Sequence, residues 1–562
     1  MYIAGWHMHS LIYELRHPLK FCLHRTLPKV TLMQKSKKLY QCNWLGWLFL
    51  LFINIASAAD QPPIILSNSS LHLEFNLESG TVRHWSLPQL HGTQGHTQDM
   101  AAPKGQLFLL RGELAGKSVK DWEQLAGGWK VLSQNHDTLV LGLESNDLPF
   151  SLKKTWHLLD HHWRTDFTLD LDFKQIELSK ADRLDLVIGP GIGEVPAVGL
   201  GMGQSIYSFT ELAYGTPDGV MTLRLNNQDM PQGYSSQEEE KWNWIGLQSR
   251  YLALILTPSN DPARRSPWLA STPTEPEGDV KHAAFETSID ISLPLFDSTN
   301  GQQQSYQWSV FGGGKAYKAL TAQDPDLGGL LFSGLWDWMR GLSLGIMHIL
   351  HFIQQWVGSW GVAIILLAFL VRLAVYPIAK NAISAQKKFA AIQARIQPEL
   401  QEIRRNYKGG EQSERILQLY ESHKVSPLAG LKPLLIVLIQ VPIFVSLYHL
   451  LGQTFELRDA SFLWMKTLAE PDQLFSLGID LPLFGSYFNL LPVLMSLTTL
   501  LSIKLNPTPT ADGKSSLRQS LTTGLMGLGF FLLFYSFPSG MVLYWTVANI
   551  LQVVHQKLAK AG

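Results

Sequence analysis

The chain has 562 residues with 46 basic and 46 acidic side chains, a balance that excludes a generally basic nucleic-acid binder and leaves electrostatics to local clusters. A mean hydropathy of +0.03 is too high for a soluble chain of this size and too low for a protein made mostly of spans, so a mixture is expected. The two cysteines, Cys22 and Cys42, precede the first apolar run, which excludes an internal disulfide from everything downstream.

In chain order, residues 1–32 carry no pattern, and Met33 with the following Gln-Lys-Ser-Lys-Lys makes the more usual start. A short apolar stretch from Trp44 to Ala59 follows Lys35, Lys37 and Lys38 and closes on Ala56-Ser57-Ala58, the pattern of a signal peptide or signal anchor. Helical, it would span about 24 Å against a hydrocarbon core of about 30 Å. Cleavage after Ala58 would leave Ala59 first, which an intact-mass spectrum reads directly.

Period-two alternation then sets in. Leu71, Leu73, Phe75 and Leu77 interleave with polar residues, as do Phe167, Leu169, Leu171 and Phe173 with Asp166, Thr168, Asp170 and Asp172, predicting half-buried strands. Further strands are expected at Thr138 to Leu143, Trp244 to Thr257 and Ser305 to Phe311, giving an antiparallel β-sandwich. Chemistry is weakly signalled here: Asp170 and Asp172 fit the solvated side of a strand better than an acid pair, and His157, His161 and His162 fit a hairpin tip better than a metal site. Gly312-Gly-Gly-Lys315 lacks the first glycine and the hydroxyl residue of a phosphate loop and is expected to be a strand-end loop.

Five apolar runs follow, Trp360 to Ile378, Leu428 to Gly452, Gly485 to Ile503, Ser520 to Phe537 and Pro538 to Val554, each read as a membrane span. Basic residues from Lys380 to Lys424 crowd one connection and mark it cytoplasmic, whereas Gln453 to Phe484 holds two basic residues against five acids and lies outside. Parity then makes the aromatic-rich segment before the first of these runs, with Trp336, Trp338 and Trp356, an amphipathic helix on the outer surface rather than a span.

Arg372 is the one charge in its run, about 12 Å of helix rise from Lys380. Snorkelling to the interface is open to it, but Gln440, Tyr544, Trp545, Thr546 and Asn549 lie in neighbouring runs, and together these polar groups would line a wet recess. The basic connection is itself helical: Ile392, Ile396, Leu400, Ile403 and Tyr407 keep helical spacing, Pro398 is expected to bend the helix, and Gly409-Gly410 to end it before a second helix from Glu411 to His423.

Several segments in order, Phe369-Leu-Val-Arg372-Leu-Ala-Val-Tyr376-Pro377, Val425-Ser-Pro427-Leu-Ala-Gly430, Gln440-Val-Pro442-Ile-Phe444 and Phe537-Pro-Ser-Gly540-Met-Val-Leu-Tyr544, resemble the signatures of YidC-family membrane protein insertases of the Gram-negative type. The resemblance covers about Leu330 to Val554 strongly and the β region more weakly. It implies a mixed fold: a polytopic α-helical membrane core, made of a five-helix insertase bundle plus an N-terminal signal anchor, with a periplasmic β-supersandwich domain.

The expected division is a cytoplasmic segment 1–42, first span 43–59, periplasmic β domain 60–326, interfacial helix 327–358, second span 359–379, cytoplasmic helical hairpin 380–427 and third span 428–452. A periplasmic loop 453–484, fourth span 485–504, cytoplasmic loop 505–519, spans 520–537 and 538–556 and a tail 557–562 complete it.

By the same resemblance, a substrate groove open to the cytoplasm and to lipid contains Arg372, Gln440, Tyr544, Trp545 and Asn549. A slide for the departing helix uses Ile436, Ile443, Phe444, Phe530 and Phe531, and Lys387, Lys388, Arg395, Arg404 and Arg405 form a cytoplasmic docking surface. The implied partners are nascent membrane proteins, the Sec translocon, the ribosome and signal recognition machinery, and the lipid bilayer. No catalytic residue, metal or cofactor is expected. Ala368 stands where several relatives carry a hydroxyl, and Trp545 where they carry a tyrosine. A solute transporter is disfavoured because the spans show no inverted repeat, and a tethered carbohydrate enzyme would need the β domain for its activity.

Overall fold

The computed structural model describes residues 63–91, 97–101, 106–159, 163–173, 179, 181–193, 210–225, 233–235, 242–271, 287–295, 303–423, 434–481, 484–505 and 517–561. All belong to one compact unit, Pro63–Gly562. The expected signal anchor and start lie outside the described residues, as do His161, His162 and most of the loop 505–519.

The alternating segments form strands His72–Asn76 and Arg164–Phe173, with Leu73, Phe75, Phe167, Leu169 and Leu171 buried and Asp170 and Asp172 on the wetter side. Trp244 to Thr257, expected as one segment, is two antiparallel strands, Trp244–Gln248 and Leu252–Pro258, because Ser249 to Tyr251 turn the chain. A nine-stranded sheet runs in the order Gly219–Leu223, Glu211–Thr216, Trp244–Gln248, Leu252–Pro258, Gln303–Gly314, Arg164–Phe173, Phe150–Leu158, Thr138–Leu143 and Lys130–Gln134. It shares one core with a six-stranded sheet centred on Ser288–Leu293 and Arg183–Ile188 and a four-stranded sheet running from Ile64–Ser67 to Thr97–Asp99. This is a layered β-sandwich.

One departure from the sequence expectation sits in this core. Gly312 to Gly314 are the last residues of strand Gln303–Gly314 rather than a loop. Each lacks a Cβ where an aromatic ring presses in, Trp85 on Gly312, Trp163 on Gly313 and Phe455 on Gly314. Lys154, on the inner face between Leu152 and Trp156, is fully buried and donates to the carbonyls of Gly80 at 2.7 Å and Phe108 at 2.8 Å. Burial pushes its ammonium down to about 7, against the pull of Glu123.

Seven helices of the C-terminal half are labelled here α1 to α7. Helix α1 is Asp337–Val357, amphipathic, with Trp336, Trp338 and Trp356 exposed beside it and Gly358 closing it in the left-handed conformation. Helix α2, Trp360–Asn406, is 47 residues long and about 70 Å, continuing through Pro377 and Pro398, so the stretch expected as the second span and the first arm of the expected hairpin form one helix. Helix α3, Gly409–Ser422, starts on the glycine pair that was expected to end its predecessor. Ile396 and Leu400 of α2 bury against Leu419 of α3, flanked by Ile403, Ile416 and Tyr420, a small core on the face where the helical spacing put Ile396, Leu400 and Ile403.

Then come α4 (Leu434–Gln453), α5 (Leu490–Leu505), α6 (Leu517–Phe534) and α7 (Ser539–Ala561). The expected fourth span starts late: Gly485–Phe488 pairs with Phe475–Leu481 as a two-stranded hairpin, and the helix begins only at Leu490. Helix α7 packs on α2, α4 and α5, with α6 on α5 and α1 across α2 and α4. By length and composition, Trp360–Pro377 is the one stretch among the described residues able to cross a bilayer; the apolar helices Leu490–Lys504 and Ser539–Val554 are shorter.

One end of this bundle is closed by the segment joining α4 to α5. The buried Asp472 carboxylate accepts from the Leu490 and Leu491 amides at 2.9 and 3.1 Å, two donors of the first turn of α5 that have no partner within the helix, and from the Trp464 indole at 2.9 Å. The Ser539 amide donates to the Glu470 carbonyl and the Gly540 amide to that of Leu468, at 2.7 and 2.8 Å, fixing the start of α7. Phe462 sits where a Cβ at Gly361 would fall, which brings the same segment onto the start of α2.

Asp472→Ala strands two helix-end amides and an indole donor together. It is expected to cost about 2–3 kcal/mol of stability, read as a lowered midpoint of thermal unfolding in detergent, with Asp459→Ala on the same segment near neutral.

Candidate functional site

Arg372 is half-buried on α2, between the exposed Leu370 and Leu373, which places its guanidinium at the margin of an outward apolar face. Across the helix interface it lies within electrostatic reach of Tyr544 on α7, a side chain only 4% exposed. Of the residues expected to line a groove, these two are brought together. Gln440 is half-buried on α4. Asn549 is tied elsewhere: its Nδ2 donates to Thr499 Oγ1 on α5 at 2.7 Å, so it joins two helices. Thr546 likewise satisfies itself, donating to the Val542 carbonyl at 2.7 Å within α7.

Trp545 faces an aromatic cluster rather than a polar lining. Its ring stands edge-on to Phe444 of α4 at 5.4 Å and near Phe534 of α6 at 5.6 Å, while Phe444 and Phe534 meet at 6.3 Å. Three helices therefore share one apolar seam. Phe530 stacks on Phe534 at 6.1 Å, and Ile443 packs against the same core. Phe531 turns the other way, toward Phe484 and Tyr535, so the two neighbouring phenylalanines do not line one surface. Phe534 was missed by sequence reasoning; its position one turn after Phe530 was the available signal. The side chain of Ile436 lies outside the described residues.

On the long arm of α2, Arg395, Arg404 and Arg405 are exposed, whereas the side chains of Lys387 and Lys388 lie outside the described residues. Arg415 of α3 pairs with Glu411 at 3.3 Å and covers the Tyr407 ring at 4.1 Å, clamping the turn between the arms. Farther along, large apolar side chains point outward on the helices: Phe369 and Leu373 on α2, Leu497 on α5, Leu525 and Leu528 on α6, Ile550 on α7. Helices apolar on both their packed and their outward faces are suited to a lipid surround rather than to water.

Comparison with known proteins adds the following. Residues 352–561 match the family described as 60Kd inner membrane protein. The chain is 32% identical over 271 residues to the membrane protein insertase YidC of Janthinobacterium sp. (strain Marseille), covering 48% of this chain and 45% of that one. It is 31% identical over 350 residues to the protein of that name from Vibrio cholerae serotype O1 (strain M66-2), covering 62% and 57%. The matches thus span about half the length of these curated relatives. It is also similar to a solved structure described as an active YidC insertase with the first transmembrane domain resolved, at 16% identity and a TM-score of 0.34, over 91% of this chain and 98% of that one.

The bond between Asn549 and Thr499 is testable by a double-mutant cycle. Asn549→Ala and Thr499→Val are each expected to lower stability in detergent by about 0.6 kcal/mol, and the double variant by no more than the larger single loss.

Proposed function

From the match of residues 352–561 to the family described as 60Kd inner membrane protein, we propose that this chain is a membrane protein insertase that delivers new helices into the bacterial inner membrane. The observation that carries the reading is Arg372, a cation on an otherwise apolar helix turn, facing the buried Tyr544 and opening onto an outward apolar surface.

In this reading α2, α4, α5, α6 and α7 are spans, the arm of α2 beyond Pro377 together with α3 projects into the cytoplasm, and the β-sandwich lies in the periplasm. The charge pattern supports that orientation, since the basic residues gather on the α2–α3 hairpin and the acids on the segment joining α4 to α5.

The mechanism follows from charge and depth. A short hydrophilic tail preceding a substrate helix has to cross hydrocarbon, at a cost set by the distance it travels without water. Arg372, held partway along α2, attracts acidic or polar groups of that tail, while Tyr544 and Gln440 offer it hydrogen-bonding partners. The apolar seam of Phe444, Phe530 and Phe534, with Trp545 at its centre, then gives the following helix a surface along which to leave for lipid. No bond is made or broken, and burial of the substrate's apolar surface, about 25 cal/mol per Å², drives the transfer. Exposed Arg395, Arg404 and Arg405 make the hairpin the docking surface for nascent chains and their carriers, the ribosome and the signal recognition machinery among them; cooperation with the Sec translocon belongs to the same reading.

The test is insertion into liposomes. A small single-span substrate synthesised beside vesicles that contain the chain is expected to become protease-protected, with protection lost for Arg372→Ala and retained when most of the β-sandwich is deleted. Equal protection by empty vesicles would sink the insertase reading; loss on deleting the β-sandwich would move the activity there.

A further inference from the structure

The hairpin formed by Phe475–Leu481 and Gly485–Phe488 is left outside the core that its neighbours build, and its composition is unlike that of a solvated turn. From Phe475 to Phe488 the sequence carries one charge, Asp480, among nine apolar or aromatic residues. Phe475 is 52% exposed and Ile479 62%, with Leu481 and Tyr487 also outward, while the rings of Phe475 and Phe488 stack at 5.1 Å and hold the strands together. Its far end is anchored: Phe484 packs on Tyr535 at 4.8 Å and on Phe531 at 6.1 Å, at the end of α6.

That anchor makes the hairpin's apolar face continuous with the outward leucines of α6, of which Leu528 and Leu532 are exposed. We propose that this hairpin is a lipid-binding element that lies in the headgroup region of the outer leaflet, covering the ends of α5 and α6. The inference rests on the reading of these helices as spans. Low charge and continuity with the apolar helix surface favour lipid as the occupant over a second protein. The backbone sets the depth: among the described residues the sheet has two strands, and backbone groups on an outer sheet edge need water or headgroups within reach, which hydrocarbon does not supply. Tyr487, apolar in body and polar at its tip, suits the same interfacial layer.

The experiment uses the full chain in vesicles of phosphatidylethanolamine and phosphatidylglycerol, with Cys22 and Cys42 replaced by serine and one nitroxide label attached at Leu125→Cys, Ile479→Cys, Leu481→Cys or Leu528→Cys in turn. All four sites are exposed, so the labels replace no core packing. Collision with oxygen, which concentrates in lipid, is compared with collision with a water-soluble nickel chelate. The expected ratio of oxygen to nickel accessibility rises from Leu125 through Ile479 and Leu481 to Leu528. Nickel accessibility at Ile479 and Leu481 equal to that at Leu125, with Leu528 still rich in oxygen, would overturn the hairpin proposal and leave the spans standing. Shielding of both hairpin labels from both reagents would overturn it in favour of a protein partner. A nickel-accessible Leu528 would instead overturn the reading of α6 as a span, and the proposal with it.

Discussion

A bundle of apolar helices has to finish its ends, because the first amides and last carbonyls of each helix have no partner within it. Here one buried carboxylate, Asp472, does this for α5 and takes the Trp464 indole as well, so the segment from Thr454 to Asn489 is folded by the same contacts that terminate the helices. Asn489 extends the arrangement, its Nδ2 donating to the Tyr535 carbonyl at the end of α6 at 2.8 Å, and Ser539 binds the Thr467 carbonyl at the start of α7 at 2.8 Å. The β-sandwich is fastened to the same segment. Arg250 donates to the carbonyls of Gly452 and Ala469 at 2.8 and 2.9 Å, and Arg458 to Gln98 at 2.6 Å. With one end of the bundle tied in this way, the other end and the seams between helices are what the proposed function has left for a passing chain.

Those seams show two kinds of chemistry. Where α7 meets α5, Asn549 and Thr499 satisfy each other and Thr499 also donates to the Met495 carbonyl, a closed polar contact that fixes two helices. Where α7 meets α2, Arg372 faces a tyrosine that is itself almost wholly buried. A cation held this way is costly unless water or a counter-charge reaches it, and structural economy alone would have placed a leucine there. The contrast separates helix–helix glue from the group that the proposed function uses, and it moves Asn549 from the second role to the first.

Much of the β domain was legible because period-two alternation reports burial directly: Leu73, Phe75, Phe167 and Leu169 lie where the pattern put them. The hairpin of α2 and α3 was legible for the equivalent helical reason, through Ile396, Leu400 and Ile403. What was hidden depends on partners distant in sequence. No local pattern says that Gly312 to Gly314 stay in a strand; that needs Trp85, Trp163 and Phe455 pressing on them. Nor does hydropathy separate Gly485–Phe488 from the helix after it, since an apolar strand and an apolar helix end read alike until Asn489 and Asp472 set the boundary. In the site, charge in an apolar run singled out Arg372, but the opposite directions of Phe530 and Phe531 followed only from which helix each one meets.

The unbroken α2 ties these features together. Its first turn carries Gly361, on which Phe462 rests, its first third carries Arg372, and its far arm carries Ile396 and Leu400, which hold α3. A helix this long is stiff over a turn or two, and the two prolines along it each remove a backbone hydrogen bond, at Pro377 on the last residue of the apolar stretch and at Pro398 within the arm. Bending is therefore cheapest at those two points. Force applied to the α3 hairpin would reach Pro377 before it reaches Arg372, and the apolar part of α2 is fixed beyond that by the segment that Asp472 anchors. In the proposed function, bending at these points would let the arm move while Arg372 keeps its place beside Tyr544. In the proposed insertase the sequence separates these duties by five residues, Arg372 to Pro377.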